Sequence, residues 1–243
     1  MYLKKGETNR EKTRFRGLYA LLFDERILEP EHVTAVTYEQ LATDEEGKRK
    51  EYSQLRAELP IFNRNRISGD LFRHGISLGN YRIVEAKKGE YLLVVHNKEK
   101  GGWTNLGRTD NKKRLNTLTN ILRRYLLELN RECETVYVLE PVLVRKTEPF
   151  RLLIVLPMWT LRFHSPRFRE MCRELLRSII PAHLAGRIYW MDEISMQGFE
   201  HCYKLLMRAL TNNDLADYSA QLLEVIYELL GKAVEIQILD DTN

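Results

Sequence analysis

The stretch "FRLLIVLPMWTLRFHSPRFREMCRELLRSIIPAHLAGRIYWMDE", Phe150 to Glu193, decides the fold. It opens with a continuous apolar run, Arg151 to Leu156, of the kind a strand buried on both faces carries. Ser165-Pro166 then reads as a helix start. A hydroxyl can cap the first turn, and Pro at the first position loses no hydrogen bond there. Phe168, Cys172, Leu175 and Ile179 recur at three- and four-residue spacing and predict one buried helix face. Pro181 ends that helix, and "LAGRIYWM" returns as a second strand. Asp192 can cap the helix that follows, in which Met196, Phe199, Tyr203, Leu206 and Leu210 alternate by three and four. The order is β-α-β-α, and two parallel neighbours in such a unit call for a right-handed crossover.

C-terminal to this stretch, Asn212-Asn213-Asp214 breaks the helix. A last helix carries Leu215, Tyr218, Leu222, Val225 and Leu229, Gly231 is its expected stop, and "AVEIQIL" alternates as an edge strand would. N-terminal to it, "YRIVEA", Lys88-Gly89 and "YLLVVHN" predict a β-hairpin, and Trp103 begins a third strand. Thr109-Asp110-Asn111 supplies cap side chains for a helix through Leu115, Leu118, Leu122 and Leu129. "ETVYVLEPVLV", 134–144, reads as a strand, with Pro141 pointing to an edge or a bulge. Residues 8–28 have helical spacing through Phe15, Leu18, Leu21 and Leu22. The polar run 36–57 is consistent with a solvated helix or a loop. The expectation is an α+β fold in three parts: an N-terminal helical region at 1–79, a hairpin, helix and strand at 80–148, and a βαβα sandwich module with an added helix at 149–243. Thr147-Glu148-Pro149 would be the hinge, and the helices would cover one face of a small sheet.

Composition sets the class. Among 243 residues, 44% are hydrophobic and 30% charged, with a formal net charge of +4. That is a folded, water-compatible chain, and its charge alone does not mark a nucleic-acid protein. The charge is uneven. Arg145–Ile180 holds eight Lys/Arg against three Asp/Glu, whereas Thr211–Asn243 holds one Lys against seven Asp/Glu. A basic segment followed by an acidic tail can pair within a chain or between copies. Cys133, Cys172 and Cys202 form an odd set without a C-x-x-C, as in a reducing compartment. The first residues lack a secretory h-region, and no apolar run is long enough to span a membrane, so membrane insertion is not expected.

No catalytic, metal or cofactor constellation is legible. His183 has no partner nearby in sequence and reads as a connector whose ring satisfies the last helix carbonyls. G-x-S-x-G is absent, and Ser165 is accounted for as a cap. His201 and Cys202 are adjacent and diverge by about 100° on a helix. H-x-x-x-H spacing is absent, and Gly101, Gly102 and Gly107 sit in hairpin turns without a phosphate-binding motif. Lys112, Lys113, Arg114, Arg123 and Arg124 lie on one helix, and Arg162, Arg167, Arg169, Arg173 and Arg177 on or near another. With Trp159 and Phe163 these could track a nucleic-acid backbone, which gives an alternative reading as a nucleic-acid-binding accessory protein. Against it stand the interleaved Glu170 and Glu174 and the acidic tail, so nucleic acid is not the expected partner. The same aromatic and Arg residues are the types that dominate protein interfaces.

The series Leu156, Pro157, Trp159, Arg162, Phe163, then Phe168, Arg169, then Pro181, Ala182, His183, Leu184, then Tyr189, Trp190, Asp192, then Phe199, Glu200 resembles a C-terminal module. That module belongs to baseplate-associated, wedge-type proteins of phage-tail-like contractile injection systems. "FRGLYALLFDERIL", "RNRISGDLFRHG" and "ETVYVLEPVLVR" are weaker echoes of the same family. The chain is shorter than the usual member, and Glu140-Pro141 stands where the family carries a Glu-His pair. The resemblance implies a non-enzymatic structural subunit that works by packing against other baseplate subunits or further copies of itself. It would be made in the cytoplasm and built into a contractile particle. Pro157, Trp159, Arg162, Phe163, Phe168, Arg169, Pro181, His183, Tyr189, Trp190, Asp192 and Phe199 are its candidate structural or interface residues.

Overall fold

The computed structural model describes residues 32–60, 62, 67–98, 101–144, 150–211 and 216–237. The expected helix at 8–28, the hinge at 147–149 and the break at 212–214 lie outside them. The chain is α+β and divides into two compact units, 1–129 and 130–243.

In the first unit, β1 (Val33–Ala35), β2 (Tyr81–Lys87), β3 (Glu90–His96) and β4 (Trp103–Thr109) form an antiparallel sheet in that order. The β2–β3 hairpin turns at Gly89, whose φ of +79° is one that side-chain-bearing residues rarely adopt. Alternation sends Tyr81, Ile83, Leu93 and Val95 to one face. There they meet Leu115, Leu118, Leu122 and Leu126 of α3 (Lys112–Cys133). Asn111 Oδ1 caps α3 by accepting from Arg114 N at 3.1 Å. The polar run resolves as a helix, α1 (Glu45–Glu58), capped by Asp44. A short α2 (Gly69–His74) follows, capped by Ser68.

Between β1 and α1, an extended strap is held on α3 by side chains that read its backbone. Asn116 Oδ1 accepts from Thr37 N at 2.7 Å and its Nδ2 donates to Thr37 O at 3.0 Å. Asn120 Nδ2 donates to the same carbonyl at 2.9 Å, and Arg124 bonds Ala42 O and Glu51. Asn116, Asn120 and Arg124 recur every four residues, so one face of α3 is a polar rail beside its apolar one.

In the second unit the sheet order is β5 (Tyr137–Leu139), β6 (Arg151–Pro157), β7 (Ala185–Met191) and β8 (Val234–Gln237). β6 and β7 are parallel, and both edges pair antiparallel. The strand expected to complete a middle part at 80–148 thus belongs to this second sheet. It is also shorter than predicted, since Pro141 begins a 3-10 turn, Pro141–Leu143, in place of continuing it. α4 (Pro166–Ile179) connects β6 to β7. α5 (Glu193–Thr211) and α6 (Ala216–Leu230) connect β7 to β8, with Gly231 N closing α6 on Tyr227 O.

Helices cover both faces of this sheet, where one was expected. Ile154, Leu156, Ile188 and Trp190 point toward α4. Leu153, Val155, Tyr189 and Met191 point toward α5 and α6. The physical reason lies in the strands: every residue from Leu153 to Pro157 is buried, so neither side of β6 can face water.

Replacing Asn120 by Ala leaves Thr37 O with one donor fewer and should cost about 1–3 kcal/mol. Urea denaturation would measure the loss. Amide exchange would show it concentrated at residues 37–42, while an effect spread evenly over the first unit would contradict the strap's account.

Candidate interaction site

The twelve residues singled out in the sequence all lie in the second unit, and the structure sorts them by depth. Pro157, Phe163, Tyr189, Trp190 and Phe199 are buried, whereas Trp159, Phe168 and Arg169 are half-buried. Arg162, Pro181, His183 and Asp192 are exposed. The large aromatics are therefore core residues of the unit and not free anchors for a partner.

They are brought together on the α4 side as a stack. The Phe163 ring sits 5.4 Å from Phe168 and 5.8 Å from Trp190, meeting Trp190 edge-on at 72°. Arg162 lies over Phe168 at 5.7 Å, and Arg169 over Trp190 at 5.8 Å. Each guanidinium faces the negative face of a ring. Arg162 Nε also donates to Glu134 Oε2 at 2.6 Å. That bond, with the carboxylate's charge, holds the Arg162 pKa above its ordinary value. Glu134 has a side chain 4% exposed and was not foreseen. Nothing in its sequence surroundings marks it, because its partner lies 28 residues away. Asn130 is a second such residue: buried, it accepts from Leu161 N at 2.8 Å and fixes the turn after β6.

On the opposite face, Phe199 meets Tyr137 at 5.4 Å and Tyr203 at 5.7 Å. Tyr137 donates to Glu200 Oε1 at 2.8 Å, and Tyr203 donates to Val138 O at 3.3 Å. Burial, then the Glu200 carboxylate, push the Tyr137 hydroxyl up to about 12. Burial and the surrounding glutamates push Cys133 up to about 11, and burial also raises Cys172. Thiols held in this direction stay protonated at neutral pH and are poor nucleophiles.

Two local expectations are corrected. Ser165 has extended backbone but makes no side-chain cap bond; α4 starts on Pro166, and Arg169 N bonds Ser165 O at 3.0 Å. The hydrogen-bonding role expected of His183 at the end of α4 is not what the structure shows. The helix end is closed by Ile180 N on Leu176 O at 2.9 Å. The His183 ring instead stands edge-on to Phe150 at 6.1 Å. Phe150 has φ of +61°, a costly conformation for a residue with a side chain. Asp192 caps α5 as expected. It accepts from Ile194 N at 2.9 Å, Ser195 N at 3.0 Å and Ser195 Oγ at 2.8 Å. Those bonds, led by the Ser195 amide, hold its carboxyl below the ordinary range.

The buried face of α4 is Phe168, Cys172, Leu176 and Ile180, not the predicted set through Leu175 and Ile179. Met171, Leu175 and Ile179 are instead 56%, 58% and 63% exposed and form a row at four-residue spacing. On α6, Tyr218 and Val225 are also exposed. These apolar positions in water, and not the aromatic motif residues, are the surface features that suit a partner. Among the described residues no three His, Cys, Asp or Glu side chains converge as a metal set, and no helix is long and apolar enough to cross a membrane.

No protein-family model matches this chain, and no curated protein sequence matches it.

The depth of each motif residue sets its expected cost. Trp190→Ala should lose about 3–5 kcal/mol, as large buried aromatics do. His183→Ala should stay within about 0.5 kcal/mol, as exposed positions do. Chemical denaturation of the two variants would separate them, and equal losses would refute the assignment. Asp192→Ala should cost about 0.5–2 kcal/mol at neutral pH. The folded-state pKa lies below the unfolded one, so this contribution is full above about pH 4 and fades as pH falls through the folded value. Wild type and variant should therefore converge in acid, and a gap that persists there would count against the carboxylate as the cause.

Proposed function

We propose that this chain is a non-enzymatic structural subunit of a contractile injection apparatus, placed in the baseplate and working through protein packing. The observation that carries the reading is the ordered motif series from Leu156 to Glu200. Its large aromatics fill the core of one folded module and Asp192 caps α5, while Arg162, Pro181 and His183 stay at the surface, as a scaffold with an outward face requires. Surface chemistry supports a packing role: exposed apolar side chains lie on two helices, while the cysteines with raised pKa values are held as neutral thiols. In this reading the subunit is made in the cytoplasm and joins the particle there.

The Arg-bearing helices give nucleic-acid binding less support than their number suggests. Arg114 pairs with Glu58, Arg124 with Glu51 and Arg162 with Glu134, each between separate elements, whereas Arg173 reaches Glu170 only along its own helix, a surface pair of little worth. Arg123 donates to Ile76 O at 2.9 Å. Guanidiniums committed to carboxylates and carbonyls of their own chain are less available to release counterions from phosphates.

Affinity capture of the tagged chain from its native host, read by mass spectrometry, should recover sheath, tube or baseplate proteins. Recovery of nucleic-acid-processing proteins with salt-sensitive DNA or RNA would overturn the reading, as would particles that assemble and contract normally without the chain.

A further inference from the structure

We propose that the second unit associates head to tail with a second copy, the exposed side of α4 on one copy packing antiparallel against the exposed side of α6 on the next. This does not depend on the injection-apparatus reading; it rests on charge and shape within one unit.

The two helices lie on opposite faces of the sheet, so they cannot meet within a unit. α4 carries four arginines against Glu170 and Glu174. The described side chains of α6 include Glu224 and Glu228 but no Lys or Arg. Each helix also exposes an apolar strip: Met171 and Leu175 on α4, Val225 and Tyr218 on α6.

The arrangement around each axis decides the orientation. At about 100° per residue, and viewed from the N-terminus, the exposed side of α4 runs clockwise from Arg173 and Arg177 to Met171 and Leu175. The exposed side of α6 runs in the same sense from Glu224 and Glu228 to Val225 and Tyr218. Two helices that share one sense bring like sides together only when antiparallel. In that orientation Arg meets Glu along one seam and apolar meets apolar along the other. Glu174, on the crest of α4, then faces Gln221, whose amide can donate to it.

α5 shares a face with α6 but does not compete for the same partner. Its outward residues include Lys204 and Arg208, which repel the arginines of α4. A contact between unlike faces does not use itself up. It propagates into a ring or an open stack according to the rotation per step.

The test is light scattering after size exclusion on the full chain, from low concentration to on the order of 100 µM, the range in which a modest interface is visible. At low salt the wild-type mass should rise with concentration, and added salt should reduce it as the Debye length shortens. Glu224→Arg with Glu228→Arg, and separately Arg173→Glu with Arg177→Glu, should each weaken association by at least about tenfold. Mixing the two variants should restore it, because every contact in an alternating stack then pairs opposite charges. Recovery on mixing also shows that neither variant had simply misfolded. A wild-type mass that stays monomeric at low salt would overturn the proposal. So would variants that associate as wild type does, or a mixture of two folded variants that stays monomeric.

Discussion

The parallel pairing of β6 with β7 is the constraint on which the second unit depends. Parallel neighbours cannot be joined by a tight turn, so a crossover of a dozen or more residues must carry the chain back to the same end. Here α4 does that, from Pro166 to Ile179. The crossover leaves one helix on one face of the pair, and the other face is as apolar as the first. Leu153 and Val155 would meet water unless something else covered them. α5 and α6 are that cover, and the return from α6 supplies β8 to the edge next to β7.

The aromatic motif residues take their meaning from this geometry. Trp190 is the widest side chain on the α4 face of β7, and a single helix must be levelled against it. Phe163 fills the space beside it, Phe168 closes the stack from α4, and Arg162 and Arg169 lie over the outer rings. Arg162 is in turn fixed by Glu134, at the end of α3. A chain of contacts thus runs from the turn after β6, through the crossover helix, to the end of β7. Removing one member unsettles its neighbours, because each ring is positioned by the next.

Much of this was legible in the residues, and the misses share a cause. The hairpin at Gly89, the strands of the βαβ unit, the Asp192 cap and the Gly231 stop were each announced by a local rule that needs only near neighbours. Two errors arose where adjacent residues offered equal alternatives. Leu175 and Leu176 are both leucine, and Ile179 and Ile180 both isoleucine, so spacing could not tell which of each pair faces the sheet. The Pro141 strand failed differently. Its apolar pattern continued past the Pro, but the missing N–H ended the ladder there. The Asn116–Asn120–Arg124 rail and the Glu134 and Asn130 anchors could not have been found locally. Their partners are distant in sequence, and Asn on a helix ordinarily reads as a solvated position. The second covered face was missed because a continuous apolar strand shows that two faces need cover without naming what provides it.

That same leucine pair separates folding from association in this unit. Leu176 is spent on the core beside Trp190, while Leu175, one residue away, is turned into water with Met171 before it and Ile179 after it. A helix needing only to cover β6 and β7 could carry polar residues at those three places, as α5 does along its outward face beyond Ile194, with Gln197, His201, Lys204 and Arg208. Three half-exposed apolar side chains at four-residue spacing gain nothing for the isolated unit and favour nonspecific contact. α4 keeps them beside arginines, so the row reads as a surface on which apolar burial supplies affinity and charge supplies orientation.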